Sequence, residues 1–429
     1  MKNILSLALF VTNVCIAQTT NSGSIIIDSS TKMVVQNNLV NAGSGIIKVD
    51  GELRLKKDFI NNASTNGFDK ADGKVTFNGG SQKIGGSHIT SFPLLQLSGT
   101  GTKTLNQSIE VGNTASITKH VLNISSVQLL LSTKELTILS SSSQAIQRTT
   151  GFIVSETSSL QGCGYVNWKI GQQKNTSYLV PFGNNVTGDF LPVSLTITKA
   201  GSGINGLVRF ATYPTATNTL PNNRPLPATV TNMNNTFNVD NSAQSLDRFW
   251  IIEPQQYSID PQASMFATYR DAEWDNSGGS TNTITEPDLR LQYWDGTKWS
   301  IANGSVNTTT NQVNSDSNVL NKTFWSAAMT VNQLTQQNPS RDESLSSKVS
   351  LNVSLYPNPA TNFISVNLNQ TITGTWQVSV ANVRGQVMLR SSFTGGTKQL
   401  DVSGLVAGTY TLALFNSNGD THTFKFIKL

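Results

Sequence analysis

The sequence predicts an all-β protein. Only 13% of its 429 residues are charged, while glycine, serine, threonine and asparagine are abundant, a composition typical of secreted β proteins. Apolar and polar residues alternate in short runs, and this period of two indicates half-buried strands. Near the N terminus the runs recur about every twenty residues, which favours a solenoid of stacked strands. We therefore expect a β-solenoid-like N-terminal region, a β-sandwich in the middle and a small β-sandwich at the C terminus.

Residues 1–17 have the pattern of a secretory signal peptide. Lys2 precedes an apolar stretch from Ile4 to Ile16, and Ala17 supplies a small residue at the expected cleavage site. No other apolar run approaches the roughly 18–20 residues that a membrane-spanning helix needs. Cleavage after Ala17 leaves Cys163 as the one remaining cysteine, so we expect no disulfide within the processed chain.

Residues 18–150 form the predicted solenoid-like region. Between Ser24 and Ser64 the apolar residues and one asparagine reappear at an offset of twenty positions. The matched pairs are Ile26 and Ile46, Ile27 and Ile47, Met33 and Leu53, Val35 and Leu55, Leu39 and Phe59, Val40 and Ile60, and Asn41 and Asn61. One such segment cannot bury its apolar side alone, whereas stacked segments bury a continuous core. An irregular antiparallel sandwich is the alternative.

Residues 151–335 predict a β-sandwich region, because their strands are longer and richer in aromatic residues. In Leu289–Trp299, two alternating runs flank Asp295 and Gly296, which favours a hairpin with a two-residue type I′ turn. Residues 336–350 are rich in glutamine, asparagine and serine with almost nothing apolar, so we interpret them as a linker.

Residues 351–429 predict a separate antiparallel β-sandwich. Prolines on both sides of Asn358 exclude helix there, because each proline fixes its own φ and disfavours helix at the preceding residue. Alternating runs follow, for example Phe363–Leu368 and Tyr410–Phe415, and segments containing glycine and asparagine separate them.

This C-terminal segment resembles the type A C-terminal sorting domain of the type IX secretion system, the outer-membrane export route of Bacteroidetes. The resemblance is carried by the Tyr-Pro-Asn-Pro-Ala opening, a glycine in mid-domain, a Gly-x-Tyr step and a Phe-Lys-Phe-Ile-Lys terminus. The residues of this sorting motif are Tyr356, Pro357, Asn358, Pro359, Ala360, Gly385, Gly408, Tyr410, Lys425 and Lys428. One departure is Val383, which stands where related domains often carry aspartate or asparagine.

The resemblance implies an immunoglobulin-like fold for residues 351–429 and a two-step export route for the whole chain. The signal peptide would direct the chain across the inner membrane, and the outer-membrane export and processing machinery would then recognise the sorting domain. That machinery normally removes the domain and leaves the body anchored to surface lipopolysaccharide or released. We therefore expect a secreted or cell-surface protein, anchored at the outer membrane after export.

The remaining sequence shows no recognisable catalytic motif. Three histidines, His88, His120 and His422, lie far apart, and no metal-ligand, nucleophile or phosphate-binding signature is found, so we expect no enzyme activity, cofactor or metal. The net charge of +5 is not concentrated in a basic patch, which argues against nucleic-acid binding. Acidic residues between Asp271 and Asp288 leave a Ca²⁺ site open, although a solvated loop explains them more simply.

The body of the protein is expected to serve a structural or adhesive role outside the cell. Carbohydrate binding is the alternative, because Trp274, Trp294 and Trp299 could stack on the faces of extracellular glycans, although core packing also explains aromatic residues. A polysaccharide-degrading β-helix enzyme is a further alternative. The charged residues that would support it, from Lys48 to Lys56 at a period of two, are more simply the solvent side of a strand.

Overall fold

The computed structural model describes residues 18–429 apart from 117–119, 158–161, 219–222, 236–238, 277–278, 301–302, 316–317, 322, 330–352, 369–375, 384–385, 395 and 417–420. The predicted signal peptide and the predicted linker lie outside the described residues. The described part contains thirty-five strands and three short 3₁₀ helices, at Ser242–Gln244, Asp271–Glu273 and Glu286–Asp288. It holds no helix with the length and hydrophobicity to cross a membrane. The chain divides after Gln337 into two compact units, which are described in turn.

The first unit begins with nineteen short strands. They are β1 (Thr19–Asn21), β2 (Ser24–Ile27), β3 (Lys32–Val35), β4 (Leu39–Gly43), β5 (Ile46–Val49), β6 (Glu52–Leu55), β7 (Phe59–Ala63), β8 (Lys74–Phe77), β9 (Gln82–Gly86), β10 (Thr90–Phe92), β11 (Leu94–Leu97), β12 (Thr102–Leu105), β13 (Ile109–Val111), β14 (Leu122–Ile124), β15 (Gln128–Leu130), β16 (Glu135–Ile138), β17 (Ile146–Arg148), β18 (Phe152–Val154) and β19 (Tyr165–Trp168).

These strands wind into a three-sided parallel solenoid of about six turns. The first side consists of β1-β4-β7-β9-β12-β15-β18, and the third of β3-β6-β8-β11-β14-β17. The second side consists of β2-β5 and, further along, β10-β13-β16-β19; between them Phe68 forms a single parallel bridge with Ile47. All described strand pairs within the solenoid are parallel. The predicted solenoid is therefore confirmed, and the alternative of an antiparallel sandwich in this region is wrong.

The twenty-residue offset holds on two of the three sides. Leu39 lies beside Phe59 on the first side, and Met33 lies beside Leu53 on the third. On the second side the offset is two residues longer, so Ile25, rather than the predicted Ile27, lies beside Ile47. The second turn is two residues longer than the first at this point, because β4 continues to Gly43 whereas β1 ends at Asn21, the partner of Asn41. The corner after β5 is two residues shorter than the corner after β2, which restores the twenty-residue offset on the third side.

The inside of the solenoid is a continuous apolar core. Inward residues alternate with outward ones along most of these strands, and in β8 and β11 the inward pairs Val75 with Phe77 and Leu95 with Leu97 are buried. Burying each such side chain contributes about 1.5–3 kcal/mol. Phe68 packs between the rings of Phe59 and Phe92, at centroid distances of 5.4 and 5.0 Å.

A column of buried asparagines runs along one corner of the solenoid. The Asn21 Nδ2 group donates to Asn41 Oδ1 at 2.7 Å, and Asn41 Nδ2 donates to Asn61 Oδ1 at 3.3 Å. The same amides donate to the carbonyls of the following corners, with Asn41 Nδ2 lying 2.8 Å from the oxygen of Gly45. The ladder therefore satisfies polar backbone groups where the chain turns inside the apolar interior.

The rest of the first unit is antiparallel. Its strands are β20 (Thr176–Val180), β21 (Val193–Lys199), β22 (Leu207–Pro214), β23 (Arg248–Gln255), β24 (Gln262–Thr268), β25 (Leu289–Tyr293), β26 (Ser305–Asn307), β27 (Gln312–Asn314) and β28 (Phe324–Met329). One sheet has the order β20-β21-β24-β27-β26, and the other continues the second solenoid side as β19-β22-β23-β28-β25. Both sheets contribute to the same apolar core, for example through Leu195 and Trp250, so they form a sandwich.

Strand β19 joins the solenoid to the sandwich, because it pairs in parallel with β16 and antiparallel with β22. On the outer side of this sheet the Arg209 guanidinium lies 3.0 Å from the Glu135 carboxylate and donates through Nε to Asn167 at 3.1 Å. The last strand of the first side, β18, is also covered by the sandwich. The N–H of Ile153 donates to the oxygen of Pro181, and the oxygen of Ile153 accepts the N–H of Gly183. The sandwich therefore covers the C-terminal end of two solenoid sides.

The predicted hairpin after β25 has a longer connection than the sequence suggested. Trp294 bridges to Trp299, so four residues rather than two connect the strands. Gly296 has φ +102°, and the Asp295 carboxylate accepts the backbone N–H groups of Thr297 and Lys298 at 2.8 Å. This side-chain cap stabilises a wider loop than a type I′ turn.

The second unit is a seven-stranded sandwich. Its strands are β29 (Val353–Tyr356), β30 (Phe363–Leu368), β31 (Trp376–Asn382), β32 (Val387–Phe393), β33 (Thr397–Asp401), β34 (Gly408–Asn416) and β35 (Thr421–Lys428). They form sheets with the orders β29-β30-β33 and β32-β31-β34-β35, and all described pairs are antiparallel. Trp376, Val378, Ile364 and Leu412 lie in its separate core. Seven strands in sheets of three and four agree with the expected immunoglobulin-like fold.

Candidate functional site

The opening and closing segments of the sorting motif meet in space. Asn358 lies in the turn after β29, and its Oδ1 accepts the backbone N–H of Ile427 at 2.9 Å. Its Nδ2 donates to the carbonyl oxygen of Lys425 at 3.1 Å. A single side chain thus occupies both the donor and the acceptor positions that a neighbouring strand would use on β35.

Ala360 extends this contact by backbone bonds. Its N–H donates to the oxygen of Ile427 at 2.8 Å, and its oxygen accepts the N–H of Leu429 at 2.9 Å. The methyl group is fully buried in the core of the unit. A small residue at this position therefore lets the opening segment lie directly against the edge of β35.

Tyr410 fixes the same end of β34. Its hydroxyl donates to the backbone oxygen of Val406 at 2.8 Å, and its ring stacks on Phe426 with centroids 5.6 Å apart. A tyrosine whose hydroxyl bonds to the chain a few residues upstream is the tyrosine corner of immunoglobulin-like domains. The ring and the hydroxyl together secure the loop before β34 against the core.

The two motif lysines lie on opposite faces of β35. Lys425 is exposed, in register with Thr411, whereas Lys428 is buried, with its Nζ against the oxygen of Leu429. Gly408 pairs with Lys428 at the start of β34. Only Lys425 therefore presents its charge on the outer face of the sheet.

The outer surface of the motif is partly apolar. Tyr356 is 48% exposed and Ile427 is also 48% exposed, on either side of Asn358. Val383, the departure noted in the sequence, is 80% exposed. Gly385 lies outside the described residues. The structure brings together the other nine motif residues, and their part in recognition by a partner stays a prediction.

Residues 354–429 match the family model described as "Secretion system C-terminal sorting domain". The chain therefore carries a type IX C-terminal sorting domain, a family that implies an origin in Bacteroidetes. It is a protein that the type IX system secretes and attaches to the cell surface, and its sorting domain interacts with that machinery. No protein of curated function matches the chain.

The three tryptophans considered for glycan binding differ in exposure. Trp294 and Trp299 are buried, with relative exposures of 3% and 0%, and their rings pack edge to face at 5.6 Å. Trp299 also stacks on Phe249 at 6.0 Å and donates to the backbone oxygen of Asn232. Both rings are thus covered by protein, which corrects their assignment to a glycan-facing surface. Trp274 alone of the three is partly exposed.

Charged residues of β3, β6 and β8 pair with one another along the solvent side of the solenoid. Glu52 lies 2.9 Å from Arg54, 3.4 Å from Lys32 and 3.6 Å from Lys74. Although partial burial opposes ionisation of Glu52, hydrogen bonds from Arg54 and Thr76 and the Lys74 charge lower its pKa to about 2. These side chains therefore connect three successive turns.

Sequence reasoning missed a buried charge cluster in the sandwich. Arg248 is fully buried, and its guanidinium donates to both oxygens of Glu273 at 2.6 and 2.8 Å and to Glu156 at 3.3 Å. Arg270 also donates to Glu273, at 2.8 Å. Although burial disfavours its charge, the two guanidinium groups hold the pKa of Glu273 below its ordinary value. The signal available in the sequence was Asp247-Arg248 directly before an apolar run.

Asp247 lies beside this cluster, with two asparagine side chains as hydrogen-bond partners. Its carboxylate accepts hydrogen bonds from the Asn282 and Asn223 amides at 2.5 and 3.2 Å. Burial, together with the nearby charge of Glu273, raises the pKa of Asp247 to about 8. The carboxyl group is therefore largely protonated at neutral pH.

The acidic residues considered for Ca²⁺ do not converge. The carboxylate of Glu273 faces Arg248 and Arg270, that of Glu286 accepts the Tyr269 hydroxyl at 2.7 Å, and that of Asp271 accepts the Asn311 amide at 2.8 Å. Within the part of the chain that the structure describes, no group of three or more His, Cys, Asp or Glu residues could hold a metal ion.

Proposed function

We propose that the body of the protein, residues 18–329, is a structural or adhesive module that the sorting domain delivers to the cell surface. The observation that carries the proposal is the use of β19 in two regions at once. This strand ends the solenoid and begins the sandwich, so the two regions share one sheet and one core. Such continuity suits a rigid module that presents its own outer surface at a distance from the cell.

The outer charges of the solenoid support the same proposal. Glu52 connects Lys32, Arg54 and Lys74 across three turns, and Arg209 connects Glu135 to Glu253 across the junction. These side chains hold strands to one another, which favours a structural role over catalysis by the same residues. We further propose that residues 1–17 are removed at the inner membrane and that the sorting domain is removed during anchoring at the outer membrane, on lipopolysaccharide.

The test compares bacteria that carry a type IX system and express either the whole chain or a chain from which residues 18–329 are deleted. Both keep the predicted signal peptide and the sorting domain. We expect the whole chain to increase attachment of the cells to a surface or to one another, and the shortened chain to be exported without that effect. Equal attachment by both strains, or polysaccharide turnover by the purified protein, would contradict the proposal.

Carbohydrate binding is a second candidate, favoured by the surroundings of Trp274. The indole Nε1 donates to Asp271 at 3.3 Å, and the Asn311 amide donates to the same carboxylate. A partly exposed ring beside a carboxylate and an amide offers both a stacking face and hydrogen-bonding groups for a sugar. Binding of the chain 18–429 to a glycan array, lost in Trp274→Ala and kept in Trp168→Phe at a buried site, would support this function; no binding would remove it.

A further inference from the structure

The first turn of the solenoid has an open edge. Within the described residues β1, β2 and β3 each pair with one strand only, namely β4, β5 and β6. Strands of the later turns mostly have a neighbour on each side. The other edges of β1–β3 therefore present a row of backbone N–H and C=O groups that a further strand could bond.

The apolar core is also open at this end. Ile25 and Met33 face inward in register with Ile47 and Leu53. Ile47 and Leu53 are fully buried, whereas Ile25 and Met33 are only half-buried because no turn lies above them in the described chain. Covering this end would thus remove apolar core surface from water as well as pair the backbone.

The outer side chains of the first turn differ from those of later turns. Ile26 is 66% exposed and Val34 is 42% exposed. Val34 heads a row of the third side in which every later position is polar. That row continues with Arg54, Thr76, Gln96, Asn123 and Gln147. On this row, an apolar outward residue therefore occurs only in the first turn, whose edge is open.

The first turn lacks the usual protection of an edge strand. Such edges are commonly blocked by proline, by several lysines or by bulges. Residues 18–37 contain no proline and one residue of each charge, Asp28 and Lys32. Lys32 is itself paired with Glu52 at 3.4 Å. Two copies of this turn would therefore meet without net electrostatic repulsion.

Resting on the proposed removal of residues 1–17, we propose that the first turn is the contact surface for a second copy of this chain, joined end to end through a twofold axis. The second copy is the occupant favoured by the fold, since it supplies strands of matching length, the same open core and a turn with one residue of each charge. Head-to-tail stacking is blocked because β22 and residues 181–183 cover the far ends of two sides. A closed dimer, rather than a fibre, follows from this asymmetry.

The test measures the mass of the chain 18–429 by light scattering over a dilution series. We expect a dimer that dissociates on dilution. The double variant Ile26→Lys, Val34→Lys places charges beside the open edges and should be monomeric at every concentration, with unchanged circular dichroism. The matched control Gln96→Lys, Gln147→Lys adds the same charges to later turns and should remain dimeric.

A wild-type chain that is monomeric throughout the series, or a dimer that persists in the folded Ile26→Lys, Val34→Lys variant, would overturn the proposal. Hydrogen exchange provides a second measurement that needs no variant. The amides of β1–β3 should exchange more slowly as the concentration rises, while those of β17, at the far end of the third side, should not change. Equal exchange of β1–β3 at all concentrations would also overturn it.

Discussion

Asn358 and Ile427 lie sixty-nine positions apart in the sequence and are joined by a 2.9 Å hydrogen bond from the Ile427 backbone to the Asn358 side chain. With the bond from Asn358 to Lys425, this contact closes the edge of the last strand of the sorting domain. The two most recognisable segments of the motif are therefore parts of one structural feature.

Replacing Asn358 should loosen β35. Asn358→Ala removes two hydrogen bonds at an exposed edge, each contributing about 0.5–1.5 kcal/mol, so we expect the sorting domain to lose about 1–3 kcal/mol of stability. Hydrogen exchange at the amide of Ile427 measures the local effect, and the amount of protein at the cell surface measures export. Asn358→Asp keeps the acceptor and loses the donor, so its effect should be intermediate. Unchanged exchange at Ile427 in Asn358→Ala would contradict the assignment.

The two contacts of Tyr410 should be separable. Tyr410→Phe removes the hydrogen bond to Val406 and keeps the stacking on Phe426, so we expect a loss of about 1 kcal/mol. Tyr410→Ala removes both and leaves a cavity, with an expected loss of about 3–5 kcal/mol. Hydrogen exchange at the amides of β31 and β34 in increasing urea measures both changes within the sorting domain. Equal losses in the two variants would show that the ring contributes nothing.

Alanine substitution in the asparagine ladder should lower the stability of the protein far more than alanine substitution on the outer face of the solenoid. Asn41→Ala removes the hydrogen bonds that its side chain forms with Asn21, Asn61 and Gly45 inside the solenoid, at about 0.5–1.5 kcal/mol for each bond. The control Asn123→Ala changes an outward asparagine and should shift stability by no more than about 0.5 kcal/mol. Urea unfolding monitored by circular dichroism compares them. Similar midpoints for the two variants would refute a structural role for the ladder.

The stability of the first unit should depend on pH through Asp247. Its pKa is about 8 in the folded chain, against 3.8 ordinarily, so between those values the folded state binds a proton that the unfolded state has lost. This group's contribution to stability is therefore present at low pH and falls as pH rises from about 4 to 8. Asp247→Asn cannot titrate, so its unfolding free energy should decline less over that range. Equal declines in variant and wild type would show that Asp247 does not titrate there.

Much of the fold could be predicted from the sequence because its signals are local. Alternating apolar residues identified strands, and the twenty-residue offset identified the solenoid, since stacked turns place like residues above one another. The offset failed at Ile26 because a corner gained two residues while apolar residues stood at adjacent positions Ile25, Ile26 and Ile27, so the pattern itself could not select the register.

The candidate site was predictable only in part. The sorting motif could be identified by its residues, but the contact of Asn358 with β35 depends on pairing between distant segments, which no local pattern encodes. Trp294 and Trp299 were misleading, because an aromatic residue in a strand has the same sequence signal whether it faces a core or a ligand. Arg248 was missed, since its partners Glu156 and Glu273 are remote in sequence.

The regular offset of the first turns also affects how the length of the protein can change. Each turn contacts chiefly the turns directly before and after it, so its stability depends on neighbours rather than on the whole molecule. Duplication or loss of one twenty-residue copy between β1 and β7 would leave the asparagine column in register and the junction at β19 untouched. Genes of this kind can therefore lengthen or shorten the protein by whole turns during evolution, without redesign of either end.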